Sequence, residues 1–391
     1  MKELFKLKET EAQIALVQAI GSKNVQVSME AQQALAAFLG PVVQKVLKTK
    51  GTVSAIYDDL PFNQDDSPSF PMDLYYGEIE NLIPVWSQQT EGGLPSSQMT
   101  GNAEIKFMTY NLNSAVSWNK RYARKSRLDV VSASIARMIN EVLIKQEKNG
   151  WAVILKALAE ASTQNRAGTS QDHVIRCNTA GTFLLADLND LLVRHVRLNE
   201  SYSGNTPENV YSSGPTDLYV SPEIKGKIRA FAYNPMNTLA GPTSTVGTPV
   251  GSTVGIPLPE AMRTEIYRGG GLQNIYGINI VQMNELGVGK KYNLLFDNFA
   301  NGVSAQYAKL DGTTADAVFA NATEEILIGI DNSRGAMKRP VSRDTENGNA
   351  HFTVLPDDQW NLSRLDKAGF YGSLEEGRVV LDSRSLSALI S

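Results

Sequence analysis

A chain of 391 residues with 42% hydrophobic and 20% charged residues can bury a sizeable core in two or three folding units, which excludes wholesale disorder. Its net charge of −4 argues against a protein whose main work is gripping nucleic-acid backbones, because that work demands a basic balance. The single cysteine, Cys177, excludes an intrachain disulfide and fits a reducing cytoplasm; the opening Met1-Lys-Glu-Leu-Phe-Lys-Leu-Lys8 has no signal core, and no apolar run is long enough to cross a bilayer.

Residues 1–69 read as an arm. Ser28 to Leu47 has helical spacing (Leu35, Phe38, Leu39, Val42, Val43, Val46), with Gly40-Pro41 expected to bend or break it. The turn-rich run from Asp58 to Ser69 reads as a loop. The arm has too few apolar residues for a core alone, so removing residues 1–50 is expected to leave a folded subunit.

Residues 70–122 read as a long β-ribbon. Strand patterns at Ile79–Trp86 and Ala103–Trp118 flank a tip, Thr90–Gly101, that contains Gly92 and Gly93. Pro84 suits an edge strand. A two-stranded ribbon is marginal alone in water, so its packing partner is expected to be another subunit; the alternative is a buried sheet with a surface loop. At the foot of the ribbon lies a basic cluster: Lys120, Arg121, Arg124, Lys125 and Arg127. It can pair with carboxylates across a subunit boundary, touch phosphates, or simply be solvated.

A helical pattern then runs from Ser126 to Thr163. Ser126-Arg-Leu-Asp129 has the form of a capping box, and Leu128, Val131, Ile135, Met138 and Val142 line one face. No proline occurs between Pro95 and Pro207, and at ~1.5 Å per residue the element would span roughly 55 Å. After Asn149-Gly150 the apolar residues Trp151, Ile154, Leu155 and Leu158 fall on the opposite side. Either the helix ends in an Asn-Gly turn and restarts, or it continues and buries its other face.

From 172 to about 300 the pattern is mixed α/β. It predicts helices at Thr182–Val196, Pro222–Ala232 and Pro259–Tyr267, and strands at Thr216–Ser221, Ile275–Gln282 and Tyr292–Phe296, with a flexible loop at Gly241–Gly255. Short strands follow at Glu324–Ile330, Phe352–Leu355 and Arg378–Leu381.

Catalytic chemistry has few places to come from. His173, Cys177 and His195 do not make a zinc set, and Gly269-Gly-Gly271 follows a helix and precedes a strand, the reverse of a phosphate-cradling loop. There is no G-x-S-x-G and no H-E-x-x-H. No enzyme, metal or cofactor is expected.

Tyr122-Ala-Arg-Lys-Ser-Arg-Leu-Asp-Val-Val131 with Ile135-Ala-Arg-Met-Ile-Asn-Glu-Val142, Asp217-Leu-Tyr-Val-Ser-Pro-Glu223, Tyr276-Gly-Ile-Asn-Ile-Val281 and Gly377-Arg-Val-Val-Leu-Asp-Ser383 follow one another in order. Together they resemble the major capsid proteins of tailed bacteriophages, the Hong Kong 97-type fold. The resemblance covers 70–391 and lies in collinearity, each motif being short. It implies an α+β fold with an N-terminal arm (1–69), an extended β-ribbon loop (70–122), a spine helix of a peripheral domain (123–171), an axial α/β domain (172–315) and the C-terminal part of the peripheral domain (316–391). It implies self-assembly into hexamers and pentamers of an icosahedral head shell around double-stranded DNA. Assembly would occur in the host cytoplasm, with scaffolding, portal and decoration proteins as further partners and no membrane. The expected subunit-interface residues are Lys120, Arg121, Arg124, Lys125, Arg127, Trp86, Gly92 and Gly93. Two rivals are an encapsulin-type compartment shell, which shares the fold, and an α/β enzyme.

Overall fold

In the computed structural model, which describes residues 11–63, 68–71, 104–125, 128–163, 173–177, 181–198, 214–233, 274–275, 277–307, 317–343, 352–357 and 365–391, the long helical pattern is one element. This helix, α5 (Leu128–Thr163), runs for 36 residues straight through Asn149-Gly150. The described residues up to 71, those from 104 to 151 and those from 337 to 379 form one unit; those from 152 to 336 and from 380 to 391 form a second. The two apolar stripes of α5 follow that division. Val131, Ile135, Met138 and Val142 are buried in the first part, and Ile154, Leu155 and Leu158 in the second.

Gly150 stays helical because something packs on it. A Cβ there would lie 2.4 Å from Cγ1 of Val53, in the short helix α3 (Val53–Ile56). Four hydrogen bonds hold this junction. Glu147 of α5 accepts from the Val53 amide (3.0 Å) and the Thr52 hydroxyl (2.6 Å), Trp151 Nε1 donates to Thr52 Oγ1 (2.9 Å), and the buried Tyr57 hydroxyl donates to the Gly150 carbonyl (3.0 Å). Gly51, at φ 101°, admits the Glu147 carboxylate, which would sit 2.1 Å from any Cβ at that position. A mid-helix glycine costs about 1 kcal/mol relative to alanine in isolation. Here the close approach reverses the sign: Gly150→Ala should destabilise the first unit by about 1–3 kcal/mol through overpacking. Val53→Ala in the same chain should restore part of the loss, readable as the coupling in a double-mutant cycle of chemical denaturation.

The arm does not stand apart. In α1 (Glu11–Ile20) and α2 (Val25–Thr49) the residues Val17, Ile20, Leu35, Leu39, Val43 and Leu47 belong to the same buried cluster as Val131, Ile135, Met138 and Val142 of α5. Asn24 caps α2 by accepting from the Gln26 amide (3.1 Å). Gly40-Pro41 does not break it, since Leu39, Val43 and Leu47 are buried on both sides of an exposed Pro41. The expectation that the subunit stays folded without residues 1–50 is at odds with this packing, in which α1 and α2 supply part of the first unit's core.

That core is roofed by a sheet built from β1 (Asp58–Asn63), β4 (Tyr110–Asn119), β10 (Met337–Arg343), β11 (Thr353–Pro356) and β12 (Lys367–Glu376). The first half of the run expected as a loop is β1, parallel to β10 from Asp58↔Lys338 to Asn63↔Arg343. It is an edge strand, where Pro61 and two aspartates are tolerated and discourage further pairing. β4 pairs antiparallel with β12 along its whole length, Lys367↔Asn119 to Glu376↔Tyr110, burying Leu112 and Trp118. The second strand of the expected ribbon is thus two strands. β3 (Glu104–Lys106) pairs with β2 (Ser69–Pro71) in a separate two-stranded sheet, and β4 belongs to the core sheet. Trp86, Gly92, Gly93 and the tip lie outside the described residues, as do Arg127 and the expected loop and helix between 241 and 267.

The second unit is a mixed sheet in the order β5 (Val174–Arg176), β14 (Leu386–Ile390), β9 (Ile326–Ile330), β6 (Asp217–Val220), β8 (Ile278–Gln282), β7 (Asn274–Ile275). β9 and β14 are buried at every residue, as central strands covered on both faces are. β14 was absent from the sequence expectations. It and β9 take two strands out of the expected C-terminal segment 316–391, whose remaining strands β10, β11 and β12 lie in the first unit; the short β13 (Val379–Val380) falls within the strand expected at Arg378–Leu381. Gly277, at φ 82°, splits the expected strand Ile275–Gln282 into the hairpin of β7 and β8. Helices α6 (Leu185–Leu198) and α7 (Pro222–Tyr233) fall close to their predicted spans. Ser221 caps α7 by accepting from the Ile224 amide (3.1 Å) while donating to the buried Glu325 (2.5 Å). Tyr292–Phe296, expected as a strand, is the first half of α8 (Lys291–Gly302): Tyr292, Asn293, Phe296 and Ala300 are buried at helical spacing.

Candidate assembly interface

Four of the five basic junction residues are described, and they divide into two pairs. Asn119 ends β4 and caps the five-residue α4 (Lys120–Arg124), its side chain accepting from the Arg121 amide at 2.8 Å. Lys120 turns inward and is buried; desolvation lowers its ammonium pKa, with Asp366 opposing and Arg124 adding to the shift. Arg124 forms a two-pronged ion pair with Asp366 (2.7 and 3.2 Å), and its Nε donates to the Gly21 carbonyl at 2.7 Å. Asp366 also accepts the Lys120 amide through its own carbonyl (2.8 Å) and holds a left-handed φ of 51°, uncommon for a residue with a Cβ. Arg124 therefore ties the end of α1, the foot of the ribbon and the start of β12 together within one subunit.

Arg121 and Lys125 lie about 100° round the helix from Lys120 and Arg124. Four residues apart, both are exposed, beside Tyr122 at 45% exposure. Leu365, the neighbour of Asp366, is 62% exposed. Exposed apolar side chains beside two cations form a surface suited to a partner that brings both apolar contact and carboxylates.

At the far end of β4 and β12 from this surface lies a buried charge network that the sequence did not reveal. Glu376, fully buried at the end of β12, accepts from Arg339 Nε (2.9 Å), Gln146 Nε2 (3.1 Å), Arg378 (3.2 Å) and the Tyr110 hydroxyl (3.1 Å). Arg339 also reaches Asp59 on β1 (3.2 Å), and the Arg378 guanidinium lies 4.9 Å from the centre of the Tyr57 ring. Burial raises the Tyr57 phenol, with Arg378 opposing. Four segments, β4, β10, β12 and α5, meet at one carboxylate. Arg378 is two residues from Glu376, but Arg339, Gln146 and Tyr110 come from two other strands and a helix, and that convergence is not visible in a linear chain.

Among the described residues no three His, Cys, Asp or Glu side chains are grouped to hold a metal ion, and no helix is long and apolar enough to cross a membrane. Cys177 is buried, and desolvation with the neighbouring Asp187 raises its thiol pKa, which suppresses the nucleophilic thiolate.

No protein-family model matches the chain, and no curated protein does. Solved structures do. The chain is similar to the capsid of the cyanophage P-SCSP1u at 18% identity and a TM-score of 0.45, over 85% of this chain and 86% of that one. The capsid of an empty GTA particle is similar at 12% identity and a TM-score of 0.46, over 87% and 89%. A virus-like particle from Pyrococcus furiosus is similar at 13% identity and a TM-score of 0.39, over 93% and 99%.

Proposed function

We propose that this chain is the major capsid protein of a tailed phage, a subunit that self-assembles into hexamers and pentamers around packaged double-stranded DNA. The observation that carries the reading is the order of parts within one chain: a ribbon base at 69–71 and 104–106, a basic junction at 120–125, an uninterrupted 36-residue helix, then a separate mixed-sheet unit with a proline-started helix. This is the collinear order that the resemblance in the sequence implies. The role is structural rather than catalytic; scaffolding, portal and decoration proteins are its further partners and the virion head its location. Negative-stain microscopy of the purified protein tests it: closed shells, hexamers or pentamers support the proposal, and a small monomeric particle at high concentration overturns it. Shells that co-purify with a protein cargo and never with DNA would favour a cellular compartment instead.

The interface reading follows for Arg121 and Lys125. Reversing both, Arg121→Glu with Lys125→Glu, should block assembly by placing like charges across a subunit boundary, while the free subunit keeps its melting temperature. Arg124 is unsuitable for that test because its loss breaks the internal pair with Asp366. Normal empty shells with poor DNA filling would transfer the two cations to the packaged genome, where phosphate contacts act through counterion release.

A further inference from the structure

His195 lies on the buried face of α6 with no exposed surface, in the interior of the second unit. One ring nitrogen, Nδ1, sits 2.8 Å from the Ser387 hydroxyl on β14. The other, Nε2, is buried without a hydrogen-bond partner among the described residues. A second histidine, His173, meets the same strand, its Nδ1 lying 2.9 Å from the Leu386 carbonyl. The remaining charge packed around this seam is already committed. Arg334 is nearly buried between Asp331 (3.5 Å) and Asp382 (3.3 Å), and Asp382 also holds Arg384 (3.0 Å). On α6 itself, Asp190 is exposed and Arg194 half-buried. A neutral imidazole tolerates this site, since an unprotonated Nε2 leaves only a weak acceptor unmet. An imidazolium would bring a second N–H that finds no acceptor among the described residues, and a full charge beside the Arg334 guanidinium.

We propose that the seam between α6 and β14 is an acid-sensitive latch, closed by neutral His195 and opened when that ring takes a proton. Desolvation, reinforced by Arg334 and then His173, pushes the folded-state pKa down to about 3, against about 6.5 in an unfolded chain. The sign follows directly. The folded state refuses a proton that the unfolded state accepts, so this contribution to stability is whole above pH 6.5 and is lost as pH falls. The unfolding constant attributable to this one group should rise about 100-fold between pH 7.5 and 4.5. The device belongs to the second unit alone and operates whether or not the chain builds a shell.

Two measurements on the intact protein test it. Histidine-selective NMR titration of the wild type should show one imidazole, absent from the spectrum of His195→Gln, that stays neutral down to pH 4.5. Amide exchange, corrected for intrinsic rates, should show α6 and β14 opening more often at pH 5 than at pH 7.5, while α5 residues 131–142 stay unchanged. In His195→Phe, which cannot titrate, the acid-induced rise in the unfolding constant should shrink by at least tenfold. A wild-type His195 that titrates near pH 6.5, or equal exchange of α6 and β14 at the two pH values, overturns the proposal even if neither variant folds.

Discussion

Glu376→Ala should unfold the first unit or come close to it. The substitution leaves Arg339 and Arg378 in the interior with their shared counter-charge gone, and breaking a buried pair in this way costs about 3–5 kcal/mol. It also strands Gln146 and the Tyr110 hydroxyl, each of which donates to the same carboxylate. Against a total stability of about 5–15 kcal/mol for an ordinary domain, that is a large fraction. Glu376→Gln, which keeps the shape and part of the hydrogen bonding but not the charge, should lose less. The comparison is the exposed i,i+4 pair Arg137–Glu141, where Glu141→Ala should change the denaturation midpoint hardly at all. Equal effects at the two sites would show that the network carries no special stability.

Deleting residues 1–50 should give an insoluble or unfolded product. The deletion removes Val17, Ile20, Leu35, Leu39, Val43 and Leu47, each at most 4% exposed, from the cluster that covers α5. At about 1.5–3 kcal/mol for each fully buried side chain, the loss is on the order of 10 kcal/mol, comparable with the whole stability of a domain. The exposed stripe of α5, with Ile135 and Val142 uncovered, would then promote aggregation. Soluble yield and far-UV circular dichroism of the truncated chain decide the matter. A soluble truncation with an unchanged melting temperature would mean that α1 and α2 are an appendage after all.

How much of this was readable in advance depended on the range of the interaction. Where one element's own periodicity carried the information, the linear chain was enough: the two stripes of α5, the amphipathic pattern of α6, the Ser221-Pro222 start of α7 and the run of β6 are all local.

Tertiary structure decided what local pattern leaves open. Asn149-Gly150 is a turn signal by propensity, and only the approach of Val53 and Tyr57 makes it the middle of a helix. Asp58–Asn63 has the composition of a loop, and becomes a strand because β10 offers it an edge to pair with. The basic junction looked like one patch of charge; burial of Lys120 and capture of Arg124 by Asp366, 242 residues away, divide it into an internal clamp and an outward face. Strand β14 could not be placed until β5 and β9 were present on either side of it. In each case the deciding partner lies far away in sequence, and its contribution to the energy exists only after the chain has folded.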